Sequence, residues 1–198
     1  MDTFTYGDAE INYLKSRDEL LGKAIDKIGI IKREVTHDVF KALINNIISQ
    51  HISGKSATTV WNRLQDRVTE VTAKNIFDTP VEDIQKCGMS MRKATYIKGV
   101  SNSIINEEIN IENLKNLPDQ EVIKILSSLN GVGVWTAEMI LIFSMARPDV
   151  LSYGDLAIRR GIMNLYNLED LSKEDFKKYK QMYSPYASIA SLYLWELS

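Results

Sequence analysis

The sequence predicts an all-α protein, and three observations carry this prediction. Apolar residues recur every three to four positions along most of the chain, as on the buried face of an amphipathic helix. No segment shows the strict apolar–polar alternation of a half-buried strand. Capping residues or glycines separate the periodic segments, which are therefore predicted to be short helices joined by tight turns.

Helix-capping residues place the predicted helices along the chain. The apolar spacing from Asp8 to Ile28 predicts one long or broken helix. Ser, Thr and Asp side chains accept hydrogen bonds from the N–H groups of a first turn, and proline suits the same place. Such residues predict helix starts at Thr36, Ser53, Pro80, Ser90, Pro118, Asp155, Ser172 and Ser184-Pro185. Glycine, a common C-cap, predicts a helix end at Cys87-Gly88.

The composition limits the class of protein. The chain has 198 residues, of which 44% are apolar and 25% charged, as in an ordinary globular protein of one domain or two small subdomains. The longest apolar run, 139–143, is far shorter than the about 20 residues of a membrane span. The acidic N-terminal stretch lacks the features of a signal peptide. We therefore expect a cytoplasmic protein with no membrane partner.

Charge and cysteine content exclude several kinds of site. One cysteine, Cys87, cannot form an intrachain disulfide or hold an iron–sulfur cluster, and we expect it to be a buried or half-buried apolar residue. The two histidines, His37 and His51, lack metal-site spacing. The net charge of −2 argues weakly against nucleic acid, but a binding face needs only local charge, and 37–100 is mildly basic.

The segment LNGVGVWTA, 129–137, carries the most specific signal. Its Asn-Gly pair suits a β-hairpin turn, but both flanks have helical spacing, the second as far as Met145. Helix punctuation would explain the glycines alone. The whole pattern predicts a helix–hairpin–helix. Its glycines would leave N–H groups unshielded at a helix start, where the dipole favours an anion, so the turn is suited to a DNA phosphate without any lysine.

The block LNGVGVWTAEMILIFSMARPDVLSYGDLAIRRG, 129–161, resembles the helix–hairpin–helix and following loop of the HhH-GPD DNA glycosylase superfamily, in its 3-methyladenine DNA glycosylase II branch. The likeness extends to ALINNIISQHISGKSATTVWNRL, CGMSMRKATYIKGV and YSPYASIASLYLWEL. It implies one catalytic unit, 1–198, of two helical subdomains with a DNA-binding cleft between them. One is 36–147 and ends in the helix–hairpin–helix at about 118–145; the other joins 1–35 to 148–198 and carries the catalytic aspartate.

The resemblance implies a monofunctional enzyme of base excision repair. It would hydrolyse the N-glycosidic bond of alkylated purines, such as 3-methyladenine and 7-methylguanine, flipped out of duplex DNA, and leave an abasic site. Strand-cleaving members carry a hairpin lysine that forms a Schiff base, where this chain has Trp135, so lyase activity is not expected. The iron–sulfur branch is excluded because four cysteines are missing. Damaged duplex DNA is the expected partner of a monomer.

The resemblance also assigns roles to individual residues. It places the catalytic carboxylate at Asp155, where it would stabilise the developing sugar cation; Gly154 stands where relatives often have a second acid. It places the base pocket at Trp135, Trp195, Met139 and Tyr153, with Tyr186 a weaker candidate. The DNA wedge falls at Gln50 and His51, of which His51 matches the wedge position itself. Phosphate contacts fall to the N–H groups of Gly131, Gly133 and Trp135 and to Lys55 and Arg159, with Arg92, Lys93 and Arg160 as further basic candidates. The backbone carbonyls of Ser127, Leu129 and Val132 would hold a structural Na+ or K+, and no cofactor for the chemistry is implied.

Plainer explanations stay open for these residues. Asp155 suits a simple helix N-cap, Trp135 and Trp195 suit a core, and His51 suits a solvated loop. Two other functions also stay open. The same fold could remove uracil or another deaminated base, although the sequence shows no clear set of hydrogen-bond donors for a neutral base. A helix–hairpin–helix could also bind DNA without catalysis.

Overall fold

The computed structural model describes residues 2–198, and its regular structure in that range is helical apart from one isolated bridge between Thr3 and Glu34. The prediction of an all-α fold is confirmed. The helices are α1 (Asp8–Arg17), α2 (Glu19–Ile28), α3 (Val39–Ser49), α4 (Gly54–Val68), α5 (Ala73–Asp78), α6 (Val81–Gln85), α7 (Met91–Ile105), a 3₁₀ helix (Glu112–Asn116), α8 (Asp119–Ser127), α9 (Val134–Phe143), α10 (Leu156–Tyr166), α11 (Lys173–Tyr183) and α12 (Ala187–Glu196). Across 2–198, the helices are too short or too polar to cross a membrane.

Most predicted helix starts lie at the observed N-caps. The last helix was predicted to begin at Ser184-Pro185, but it begins at Ala187, after the N-cap Tyr186. The first two predicted helices also differ from expectation. Asp18 ends α1 and caps α2, which breaks the predicted first helix in two. The prediction that Thr36 caps α3 is wrong, because the Asp38 carboxylate accepts the hydrogen bond from the N–H of Lys41, at 2.9 Å. The six-residue helix α5 was not predicted, since so short a segment shows no apolar period.

The chain divides into two compact units. The hairpin unit is Thr36–Ile140, and the terminal unit joins residues 2–35 to Leu141–Ser198. The division falls within α9, whereas the sequence-based division lay after Arg147. The two boundaries lie close together in the sequence, but the observed boundary assigns the last turn of α9 to the terminal unit.

The core of the hairpin unit forms around α3 and α7. Helix α3 packs against α4 and α7, and α5 and α6 both pack against α7. The buried face of α3 is aliphatic, with Leu43, Ile44, Ile47 and Ile48 fully buried. Cys87 is also buried, as expected. This packing fixes the end of α3, and with it the turn that leads to α4.

The terminal unit forms around α12, which packs against α2, α10 and α11. A buried polar cluster joins three of its helices: the Asp18 carboxylate accepts hydrogen bonds from the hydroxyls of Tyr166 and Tyr183. Two serines of α12 hold the segment before α10. The Ser188 hydroxyl accepts a hydrogen bond from the N–H of Val150, at 2.9 Å, and that of Ser191 donates to the Val150 carbonyl, at 3.2 Å. The chain that leads to Asp155 is thereby anchored to the core.

We predict that Gly161→Ala destabilises the protein by about 3 kcal/mol, since forcing extra volume into packed backbone is strongly unfavourable. A Cβ at Gly161, on α10, would lie 2.0 Å from the backbone carbonyl oxygen of Leu194, on α12. The matched control is Gly99→Ala, because Gly99 lies in α7 with no atom within 4 Å of the added Cβ. This control is expected to raise stability by about 0.5–1 kcal/mol. Urea unfolding of both variants measures the difference, and equal effects would contradict the close approach of α10 and α12.

Candidate active site and nucleic-acid interface

The predicted helix–hairpin–helix is present, as α8, a short turn and α9. Two backbone hydrogen bonds close the turn: Leu129 N–H donates to the Leu126 carbonyl, at 3.2 Å, and Val132 N–H donates to the Leu129 carbonyl, at 3.1 Å. The side chains of Leu129 and Val132 are buried. The two buried apolar side chains therefore anchor the turn to the core. Its glycines lie nearer the solvent.

The two hairpin glycines serve different needs. Gly131 has φ +87°, and a Cβ there would lie 2.4 Å from the ring of Tyr96, so both backbone conformation and packing require glycine. Gly133 is exposed, and an added Cβ would meet no atom within 4 Å. Within residues 2–198, no hydrogen bond occupies the N–H of either glycine. Folding does not explain the bare backbone at Gly133, whereas the close approach of an anion would.

Trp135 lies in the first turn of α9 and is 43% exposed, which argues against the reading of Trp135 as a core residue. The preceding Val134 is 55% exposed, so the start of α9 presents two apolar side chains to solvent. Met139, one turn later, is buried, and little of its side chain is available to a ligand. The helix carries apolar side chains on several sides, which is why its sequence could not show which of them are exposed.

Asp155 is buried, at 8% exposure, and is the N-cap of α10. Its Oδ1 accepts hydrogen bonds from the N–H groups of Ala157, at 2.9 Å, and Ile158, at 3.0 Å. The N-cap interpretation is therefore correct. It does not compete with a catalytic role, because capping fixes the position of the carboxylate and a reacting carboxylate must be held in place.

Tyr153 lies against two cations. The Arg159 guanidinium lies 5.1 Å, and the Lys173 ammonium 5.9 Å, from the centre of its ring, and Phe176 packs edge-on against it. A ring that already faces two positive charges is a poor partner for a cationic base, so the predicted pocket role of Tyr153 loses support. Arg159 is only partly available for a phosphate, because it is held against Tyr153 with its Nε buried.

Trp195 is half-buried, and its ring centre lies 5.5 Å from that of Phe143. Ser188 and Ser191 precede Trp195 on the same helix, and both are buried and bound to the segment that precedes α10. Tyr186 packs edge-on against Tyr13.

The structure separates the two predicted wedge residues. Gln50 ends α3, and its Nε2 donates a hydrogen bond to the carbonyl of Gly131 in the hairpin, at 2.8 Å. This contact engages the Gln50 amide within the hairpin unit. His51 follows, with φ +58°, and is the more exposed of the two.

The basic candidates also divide. The Lys93 ammonium donates to the carbonyls of Ile48, at 2.7 Å, and Gln50, at 2.5 Å, so Lys93 caps α3 rather than facing a phosphate. Lys55, Arg92 and Arg160 are exposed. The sequence showed neither this capping nor the contact between Gln50 and the hairpin, because both join segments far apart in the chain.

The predicted cation ligands lie at the end of α8 and in the hairpin turn. The Leu129 carbonyl already accepts one hydrogen bond, from Val132, which leaves its second lone pair for a cation. Within residues 2–198, the carbonyls of Ser127 and Val132 are not engaged in hydrogen bonds. Carbonyl oxygens are a kind of ligand that monovalent cations take, so these three stay the candidate ligands.

Comparison with known proteins identifies the family. The profile described as HhH-GPD superfamily base excision DNA repair protein matches residues 44–184. The chain is 32% identical to DNA-3-methyladenine glycosylase 1 of Schizosaccharomyces pombe, over 80% of this chain and 72% of that protein. A DNA-3-methyladenine glycosidase structure from Bacillus halodurans superposes with TM-score 0.90 at 29% identity, covering 99% of this chain and 92% of that one. The S. pombe 3-methyladenine DNA glycosylase in complex with abasic DNA gives TM-score 0.81 at 28% identity, covering 96% of each chain. The chain belongs to the HhH-GPD superfamily of base excision DNA repair proteins.

Proposed function

We propose that this protein is a monofunctional DNA glycosylase that removes alkylated purines, of the 3-methyladenine and 7-methylguanine type, from duplex DNA. The observation that carries the proposal is the exposed indole of Trp135, which lies beside a hairpin glycine that folding alone does not require. The similarity to 3-methyladenine DNA glycosylases over most of the chain supports the same substrate class. Its site of action is then intracellular DNA, and a monomer is sufficient for the chemistry.

The proposed reaction begins with the hairpin. The N–H groups of Gly131, Gly133 and Trp135 bind a phosphate, as the N-terminal end of α9 favours an anion. His51 enters the duplex, and the damaged nucleotide rotates out of the stack. Trp135 then stacks on the base, while the Asp155 carboxylate stabilises the positive charge that develops on the sugar as the glycosidic bond breaks. Water completes the hydrolysis, and an abasic site and a free base are the products.

The preference for alkylated purines follows from charge. A purine alkylated at N3 or N7 is cationic, and an indole face attracts a cation by about 0.5–2 kcal/mol. The same charge weakens the glycosidic bond, so the enzyme needs few specific hydrogen bonds to the base. A neutral base such as uracil would need donors fixed around its edge.

The proposed reaction has no lyase step. A lyase needs an amine that attacks the sugar carbon, and position 135 carries an indole instead. Lys124, the nearest lysine in sequence before the hairpin, lies exposed in the last turn of α8, and the hairpin turn separates it from the start of α9. We expect the DNA backbone to stay intact until alkali cleaves the abasic site.

We further propose that the carbonyls of Ser127, Leu129 and Val132 hold Na+ or K+ when DNA binds. Such an ion would supply positive charge next to a phosphate, where the hairpin side chains supply none. Replacing K+ by tetramethylammonium at constant ionic strength should then weaken DNA binding, because the larger cation does not fit among three carbonyls.

The function is tested with duplex oligonucleotides that carry 7-methylguanine, 3-methyladenine, hypoxanthine or uracil. Release of free base and strand cleavage before and after hot alkali are measured. We expect release of the alkylated purines and cleavage only after alkali. Uracil release without alkylpurine release would favour the deaminated-base alternative, binding without release would favour a non-catalytic module, and cleavage before alkali would reveal a lyase.

We predict that Gly133→Ala lowers DNA affinity roughly tenfold or more, since a hydrogen bond to a charged group contributes about 1.5–3 kcal/mol. The added methyl group meets nothing within the protein, so stability should change little. Gly131→Ala is the matched comparison, because its Cβ would collide with Tyr96 and its φ is +87°. We therefore expect Gly131→Ala to lower the temperature of unfolding, unlike Gly133→Ala. Fluorescence anisotropy with labelled DNA and thermal unfolding measure the two effects, and unchanged affinity of Gly133→Ala would contradict the phosphate site.

A further inference from the structure

Three hydrogen bonds join the end of α3 and the turn between α3 and α4 to the rest of the hairpin unit. We define residues 49–53 as the wedge turn. The side chain of Gln50 donates to the Gly131 carbonyl, at 2.8 Å, and so links the wedge turn to the phosphate-binding hairpin 81 residues further along the chain. The Lys93 ammonium, on α7, donates to the carbonyls of Ile48 and Gln50, at 2.7 and 2.5 Å.

The position of the Lys93 ammonium at the end of α3 is unfavourable for its charged form. Burial, with a smaller contribution from the neighbouring Arg92, lowers the pKa of the Lys93 ammonium. The ammonium lies at the C-terminal end of α3, where the last carbonyls lack helical partners and the helix dipole is negative. The two carbonyls therefore offset the loss of hydration, and Lys93 binds the last turn of α3 firmly.

The wedge turn needs such support. His51 has φ +58°, a left-handed conformation that is unfavourable for a residue other than glycine. A strained residue persists only where its surroundings hold it. Here the surroundings are the bonds made by Gln50 on one side of His51 and the cap of α4, where Ser53 accepts from the N–H of Ser56, on the other.

We propose that Gln50 and Lys93 are positioning residues that hold the wedge turn at a fixed distance from the hairpin. The phosphate that the hairpin binds and the gap that His51 fills then lie a fixed number of nucleotides apart, so that only the nucleotide in register is turned out. In this proposal Gln50 does not enter the duplex itself but positions His51, which does. This inference rests on the proposed function, because it assumes that the hairpin binds DNA and that His51 enters it.

The test uses duplexes with 2-aminopurine, a base that fluoresces when it leaves the stack, placed at successive positions beside a stable abasic-site analogue. This readout needs no excision, so it separates a failure of the inference from a failure of the proposed activity. With the wild-type protein, the 2-aminopurine fluorescence should increase at one position only. Gln50→Ala and Lys93→Met should spread the signal over neighbouring positions, while Lys93→Arg, which keeps the charge and donors, should restore it in part.

Lys98→Met is the matched control for Lys93→Met. Lys98 lies on the same helix, α7, and its ammonium likewise binds the carbonyls at the end of a helix, those of Ile76, Phe77 and Thr79 beside α5. Both changes should lower the temperature of unfolding, but only Lys93→Met should change the 2-aminopurine pattern. The same pattern change in both variants would show a merely structural role and overturn the proposal.

Single-turnover excision adds a second, independent criterion. Gln50→Ala should slow excision roughly tenfold to a hundredfold, as misplacement by about 1 Å can do. If Gln50 acts through the wedge, Gln50→Ala should have no further effect in a His51→Ala background, because coupled residues are not additive. Additive losses would mean that Gln50 acts independently of His51 and would overturn the proposal.

Discussion

Asp155→Asn is expected to lower the single-turnover rate of alkylpurine excision by roughly 10² to 10³, as loss of one preorganised electrostatic group commonly does. The substitution removes the negative charge of the carboxylate, and we expect the excision rate to fall for that reason alone. Asparagine is as good an N-cap as aspartate, and its side-chain oxygen can still accept from the N–H groups of Ala157 and Ile158. Helix α10 should therefore remain in place, and DNA binding and the temperature of unfolding should change little.

The chain provides a matched control in Asp18. Like Asp155, Asp18 is a buried N-cap in the terminal unit, at 7% exposure, and its Oδ1 accepts from the second and third N–H groups of its helix, at 3.0 and 3.1 Å. Its other oxygen accepts from the hydroxyls of Tyr166 and Tyr183. Asp18→Asn should thus lower stability yet leave the rate per folded molecule unchanged. Equal excision rates for Asp155→Asn and the wild type would remove Asp155 from the mechanism.

The predicted helices agree well with the structure wherever the signal is local. Ser53, Ser90, Pro118, Asp155 and Ser172 each precede the helix that they were expected to begin. A cap acts over three residues, so its evidence lies within one stretch of sequence. The same holds for the helix–hairpin–helix and for the family assignment, which the comparisons confirm.

Contacts between distant segments could not be predicted. Gln50 and His51 are neighbours in sequence and were given one role, but only Gln50 reaches the hairpin. Likewise Gly131 and Gly133 are alike in sequence, and only the position of Tyr96 distinguishes the glycine that packing requires. The exposure of Trp135 could not be predicted either, because apolar residues lie on several sides of α9 and their spacing indicates no single buried face.

The second large effect is expected at Trp135. Trp135→Ala should weaken binding and excision of 7-methylguanine by roughly 5-fold to 150-fold, since stacking of one base on an aromatic side chain contributes about 1–3 kcal/mol. The indole is 43% exposed and lies in the first turn of α9, so its removal leaves no cavity in a packed core, and stability should change little.

Charge on the base provides the control for this prediction. If the indole recognises positive charge, Trp135→Ala should reduce excision of cationic 7-methylguanine more than that of neutral hypoxanthine, because only the cation loses the attraction of the ring. Trp135→Phe, whose ring attracts a cation less strongly than indole, should fall between the wild type and Trp135→Ala for the cationic base. The ratio of the two excision rates, measured under single-turnover conditions, is then the quantity to compare. If the ratio is the same in all three proteins, Trp135 contributes only stacking contact that does not depend on the charge of the base. The charge-based explanation of substrate preference would then be wrong.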